Sequence, residues 1–221
     1  MSTPRDPRRP TRLPEHASTD RSALDRLLDT ALVGHFGLVA EDGLPVVIPT
    51  AVIRDGDRVL AHGSTGSRWM RMLGAGAPTA LAVTSYDGLL VARSAFESSI
   101  HYRSAVLFGR CTTVADDDKE RVLDLVTERL LPGRVAEVRR PTKAELAATL
   151  VLALPIDDWS LKVSDGWPED GPDDVAGPAW AGVVPLLQSY DAARPAPDLA
   201  AGIDVPASVR RLVDPHQAPA D

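Results

Sequence analysis

The segment His62-Gly63-Ser64-Thr65-Gly66-Ser67-Arg68 joins a run that reads as a strand, Arg58 to His62, to one that reads as a short helix, Arg68 to Leu73. A small polar loop between strand and helix is a sensible place for an anion. Gly63 and Gly66 let the backbone approach a ligand closely. Ser64, Thr65 and Ser67 offer hydroxyl groups, and any of them can cap the helix. The free N–H groups of the first turn favour a phosphate, and Arg68 adds a planar charged fork. The segment lacks the Gly-Lys-Ser/Thr ending of a P-loop and is not a GxGxxG turn. On its own chemistry it reads equally well as a plain Ser/Gly turn with an N-cap.

Upstream, Ser18 or Thr19 can cap a helix carrying Leu24, Leu27, Leu28 and Ala31 at helical spacing, with Gly34 as its stop. His35 to Ala40 and Val46 to Ile53 read as strands joined by a turn at Asp42-Gly43, and Asp55-Gly56 is a second tight turn. Downstream, Thr79 to Thr84 and Leu89 to Arg93 read as a hairpin across Asp87-Gly88. His101 to Val114 reads as a long strand with one wet face. Asp118 to Leu131 is a helix with Val122, Leu125, Val126 and Leu130 on one side, and Thr142 with Glu145 fits a capping box. Leu150 to Ile156 is a buried strand continuing towards Lys162, and the apolar island Trp180 to Leu187 interrupts a Pro/Gly/Asp-rich tail. Short hairpins without long crossovers favour a barrel over a doubly wound sheet. The fold class expected is mainly β with helices (α+β).

Composition narrows the function. Of the 221 residues 44 % are hydrophobic but only 5 % aromatic, so aliphatic side chains must fill the core. A formal charge of −7 argues against a protein that coats nucleic acid. Arg5, Arg8, Arg9 and Arg12 among prolines read as a disordered leader over residues 1–17, or as a basic arm. The single Cys111 reads as a buried structural thiol in a reducing cytoplasm. No run reaches the roughly 20 apolar residues of a membrane span, and no His/Cys/carboxylate cluster has metal-ligand spacing. The polar stretch Arg93 to Ser104 is either an exposed loop with a solvated arginine pair or a set of side chains reaching a polar ligand.

Taken together, HGSTGSRWMRML (62–73), ARSAF (92–96), YRSAVLFGR (102–110), ATLVLALPI (148–156), WAGVVPL (180–186) and VPASVRRL (205–212) resemble the pyridoxamine 5'-phosphate oxidase-like, flavin-nucleotide-binding family. Within it, the resemblance is to the branch that includes nitroimidazole-resistance reductases, and it spans Arg21 to Leu212. It implies a six-stranded split β-barrel over residues 18–164 and a C-terminal extension, 165–221, packed on the barrel or on a partner subunit. It also implies a homodimer with FMN in the groove between subunits.

On the same resemblance, Ser67 and Arg68 bind the FMN phosphate with Gly63, Ser64 and Thr65, while Val47, Pro49 and Thr50 lie along the isoalloxazine. Ser104 approaches the ring, and Trp180, or less favourably Trp159, closes the site from the partner. His62 matches a histidine at the flavin face and is a candidate catalytic proton donor. Otherwise it merely ends its strand and hydrogen-bonds the turn. Glu97 and Ser98 stand where relatives usually carry histidines, and His101 where they carry asparagine. The basic C-terminal residues that hold substrate in true pyridoxamine-phosphate oxidases have no counterpart, so that activity is not expected. The implied activity is reduction of a small organic or nitroaromatic compound with electrons from a nicotinamide nucleotide. The alternatives are a flavin or haem carrier, with His62 or His101 as haem ligand, and a deazaflavin-dependent reductase.

Overall fold

The computed structural model describes residues 14–214. The expected leader therefore lies outside the described residues except for Pro14 to Ala17, a 3-10 turn (Pro14–His16) leading into β1 (Ala17–Ser18). The next elements are α1 (Arg21–Thr30), β2 (Val33–Val39), β3 (Pro45–Ala51), β4 (Ile53–Asp55), β5 (Arg58–Ser64) and α2 (Arg68–Gly74). β6 (Pro78–Val91), β7 (Ser99–Arg110), β8 (Thr112–Thr113), α3 (Asp116–Leu130) and α4 (Lys143–Ala148) follow. The chain continues through β9 (Thr149–Pro155), β10 (Asp158–Ser164), α5 (Pro172–Val175), β11 (Gly182–Pro185) and α6 (Ala207–Val213).

The protein is a mixed α+β fold in two compact units. Of the described residues, 14–113 with 150–187 form the first, and 114–149 with 188–214 form the second. The first unit holds a seven-stranded sheet in the order β1-β10-β7-β6-β2-β3, with β11 on β6, and a four-stranded sheet in the order β4-β5-β9-β8. Within the larger sheet neighbouring strands run antiparallel. The chain crosses between the sheets at Val52, Cys111 and Ile156, all buried.

Alternation decides which face each strand buries. In β2, Phe36 and Leu38 point inward while His35 and Val39 face out. Leu81, Val83, Ala105, Leu107 and Leu161 extend that inner face across the larger sheet. They meet Val59, Ala61, Leu152 and Leu154 of the smaller one, so the core lies between the two sheets. Leu24, Leu27 and Leu28 seat α1 on this core, and Met70 and Leu73 seat α2.

Four local expectations need correction. The cap of α1 is Asp20, whose Oδ1 accepts from Ser22 N at 2.8 Å, rather than Ser18 or Thr19. Gly34 does not stop the helix; it lies in β2, where a Cβ would come within 2.7 Å of Leu81 Cδ1 and 3.0 Å of Val52 Cγ1. The hairpin at Asp87-Gly88 is absent, because β6 runs unbroken from Pro78 to Val91 and the register against β7 shifts between Tyr86 and Gly88. That is a β-bulge. Gly88 is needed there because β11 comes so close that a Cβ would sit 2.5 Å from Val184 O. Finally, the run from Leu150 towards Lys162 folds into two strands, β9 and β10, that join different sheets.

In the second unit α3 buries Val122 and Val126, and Thr142 with Glu145 makes the reciprocal capping box at α4. Lys119 Nζ donates to Leu146 O at 3.2 Å and pairs with Asp116 at 2.8 Å. Glu137 accepts from Ser208 N at 2.9 Å and from its hydroxyl, which ties α6 to the 3-10 turn Val135–Glu137.

Candidate functional site

The loop between β5 and α2 is fixed from below. Trp69 stacks obliquely on Phe36, with ring centroids 5.9 Å apart and planes at 35°, while Met70 and Leu73 are fully buried. Gly63 is small for a reason, since a Cβ there would touch Met70 Cγ at 3.3 Å. The loop closes on itself, Ser64 O accepting from Ser67 N at 2.9 Å and Ser64 Oγ from Gly66 N at 3.1 Å. Ser67 occupies the cap position of α2 in an extended conformation, yet its side chain makes no capping hydrogen bond. Its hydroxyl and that of exposed Thr65 therefore stay available to a ligand.

Arg68 and Arg71 project from the exposed side of α2, and neither pairs with a carboxylate among the described residues. The other described arginines of this unit behave differently. Arg21, Arg26, Arg54, Arg58, Arg93 and Arg103 each pair with an aspartate, and Arg110 donates to Gly76 O. Among the described residues of the first unit, the guanidinium groups without a carboxylate partner lie on α2 or, for Arg110, just beyond its end.

His62 ends the buried part of β5, half-buried beside this loop. Burial pushes its imidazole below the ordinary histidine value, which keeps it neutral near pH 7. Its imidazole makes no hydrogen bond to a described residue, so the side chain does not tie down the turn. His101 is spoken for: it is buried, and its Nε2 lies 2.8 Å from Gly166 O. A carbonyl only accepts, so Nε2 carries the proton. His35 is exposed on β2, opposite Pro49.

Of the residues expected along the flavin ring, Val47 and Pro49 are exposed on one face of β3, and Thr50 is half-buried on the other. β3 runs beside β5. Ser104 is half-buried in β7, in a cross-strand row with Thr84 on one side and Lys162 on the other. Trp180 is 65 % exposed just before β11, its ring within 2.9 Å of where a Cβ of Gly182 would lie. Trp159 packs against the core.

The Arg93 to Ser104 stretch holds no free arginine pair. Arg93 donates from its backbone N and Nη1 to Asp170 at 2.8 and 2.9 Å, and the Asp170 side chain is fully buried. Arg103 pairs with Asp87. Ser98 Oγ accepts from Ala92 N and donates to Ser94 O, closing the turn beneath exposed Phe96. Arg71, inside the 62–73 motif, and Lys162, paired across the sheet with Ser104, are not among the site residues expected from the sequence, yet each adjoins one. Among the described residues no three His, Cys, Asp or Glu side chains gather as a metal site, and no helix is long and apolar enough to cross a membrane.

A family model described as pyridoxamine 5'-phosphate oxidase matches residues 20–163, and the chain belongs to that family. It is 53 % identical to the FAD and heme binding protein from Mycobacterium smegmatis, covering 90 % of this chain and 97 % of that one with a TM-score of 0.86. A flavocytochrome from Azotobacter vinelandii is 32 % identical, with 92 % and 94 % covered and a TM-score of 0.85. A protein from Bacteroides thetaiotaomicron described for 5-nitroimidazole antibiotic resistance shares the fold at 16 % identity, with 66 % and 86 % covered and a TM-score of 0.57. No curated protein matches.

Proposed function

We propose that this chain is a flavin-binding redox protein on a six-stranded split β-barrel, and that it holds a haem as well as the flavin. The observation that carries the reading is 53 % identity, across 97 % of its length, to a protein that binds FAD and heme. The flavocytochrome at 32 % identity supports it.

The residues present fit both groups. Ser67, Thr65 and Arg68 offer two unused hydroxyls and an unpaired guanidinium to the flavin phosphate. Val47 and Pro49 supply an apolar exposed edge for the ring, with Ser104 next to Lys162 for its polar rim. His62 would suit a haem ligand, because its imidazole is neutral, half-buried and has no described partner. His101 fits less well, since its Nε2 is held by Gly166 O. A bound flavin supplies one- and two-electron transfer, and a haem one-electron transfer.

A second copy of the chain would complete the site as a homodimer, with exposed Trp180 covering the partner's flavin. FMN and FAD share the phosphate that Ser67 and Arg68 would take; the 53 %-identical relative favours FAD. It also favours haem as the electron partner over a nitroaromatic substrate with a nicotinamide donor, or a deazaflavin.

The test is the visible spectrum of the purified protein, with release and chromatographic identification of the flavin. We expect flavin bands and a Soret band. His62→Ala should remove the Soret band and keep the flavin, while His101→Ala should keep both. A colourless protein that takes up neither flavin nor haem would sink the reading.

A further inference from the structure

We propose that Arg68 and Arg71 act together as a clamp for two linked phosphates, with Arg71 giving the site its preference for a diphosphate over a monophosphate. The inference rests on the proposal that Arg68 takes the flavin phosphate, and it assigns a role to a residue that the proposal leaves idle.

The two arginines are three residues apart on α2, so their side chains leave the same surface of the helix about 5–6 Å apart at Cβ. That spacing suits two anionic groups bridged by one oxygen. Buried Met70 and Leu73, with Trp69 on Phe36, fix the rotation of the helix. Arg68 and Arg71 are consequently both held outward, Arg68 directly after the Ser64 to Ser67 loop and Arg71 one turn further along.

Charge pairing makes the case stronger. Six arginines of this unit have found aspartates, including Arg93 with a fully buried one. Arg68 and Arg71 have none among the described residues, and α2 carries no acidic residue in its first turn. Two like charges at this spacing repel and weaken a helix. A bound diphosphate would remove that repulsion and complete the pairing. Arg110, which donates to Gly76 O beyond the far end of α2, adds positive potential behind the pair.

The full-length protein, cleared of any co-purified flavin, is titrated with phosphate, pyrophosphate, FMN and FAD. The wild type should bind pyrophosphate about tenfold more tightly than phosphate, as one extra charge-assisted contact implies. Arg71→Ala should weaken pyrophosphate and FAD about tenfold and leave phosphate and FMN within about twofold. Arg71→Lys, which keeps the charge but loses the fork, should fall between. Arg68→Ala should weaken all four. An Arg71→Ala protein that loses all four ligands equally, or none, overturns the clamp. If FMN and FAD fail to bind while pyrophosphate selectivity still depends on Arg71, the clamp stands and the flavin reading falls. If both flavins bind with no difference traceable to Arg71, the clamp falls and the flavin reading stands.

Discussion

Arg103 donates through Nε and Nη2 to the two carboxylate oxygens of Asp87, each at 2.8 Å, and so fastens β7 to the bulge of β6. Asp87 is the residue that the register shift between Tyr86 and Gly88 leaves unopposed. Ser85 completes the knot, donating to Asp87 Oδ1 at 2.6 Å and accepting from Arg103 Nη2 at 3.1 Å.

The first prediction concerns acid. Hydrogen bonding from Arg103, helped by Ser85, holds the Asp87 carboxyl below the usual aspartate range against a smaller opposing effect of burial. Its pKa is therefore lower folded than unfolded. The stability it contributes is complete above about pH 4 and is lost as pH falls through the folded value. Asp87→Asn should lower stability by about 1–2 kcal/mol at pH 7. It should also flatten the decline below about pH 4. Urea unfolding at a series of pH values measures both, and a variant that parallels the wild type throughout would refute the assignment.

Gly88→Ala tests the contact on the other side of the bulge. A methyl group there would lie 2.5 Å from Val184 O and 3.0 Å from Pro185 Cα, both backbone atoms that cannot rotate away. The strand β11 must move off β6. We expect a loss of about 2–3 kcal/mol, in line with forced overpacking, and faster proteolysis between residues 176 and 190. Unchanged proteolysis would mean that β11 is not held at this point.

The bulge also shows what local sequence conveys. Asp87-Gly88 has the composition of a hairpin turn, and nothing in its neighbourhood says otherwise. The deciding contact is β11, about a hundred residues later, paired Gly182 to Val91 and Pro185 to Gly88. Long-range partners explain the other gaps too. Arg93 reads as solvated until Asp170, 77 positions away, meets it. The alternating strands, the Ser/Gly loop and the capping box at Thr142 were legible because each is encoded within a few residues. His62 was visible as a candidate, but its lack of a partner was not. Arg71 reads as a solvated helix face until the pairing of the other arginines is known.

Cys111 sits where the chain leaves β7 for β8, 3 % exposed, and burial pushes its thiol up to about 12. The reactive species is the thiolate. At pH 8 the native protein should react with a thiol reagent only as fast as it opens, and a denatured sample should react at once. A native sample titrating one thiol within the mixing time would contradict the burial. The same experiment reports the opening rate of the crossing point between the sheets.

Gly34 offers the most direct test of the packing between β2 and its neighbours. It lies opposite Thr50 on one side and Val83 on the other, so its inner face looks into the core. A Cβ would meet Leu81 Cδ1 at 2.7 Å and the two methyl groups of Val52 at 3.0 and 3.1 Å. Both neighbours are themselves buried, Leu81 completely and Val52 with 1 % exposed, so neither can swing into solvent. Gly34→Ala should cost about 1–3 kcal/mol through overpacking, despite the strand entropy that alanine saves. Leu81→Ala should cost about 2–5 kcal/mol by opening a cavity. The double variant should cost clearly less than the sum, because the new methyl fills part of that cavity and the closest clash is gone. Denaturant midpoints for the four proteins give the coupling energy directly, and strict additivity would show that Gly34 and Leu81 are not in contact.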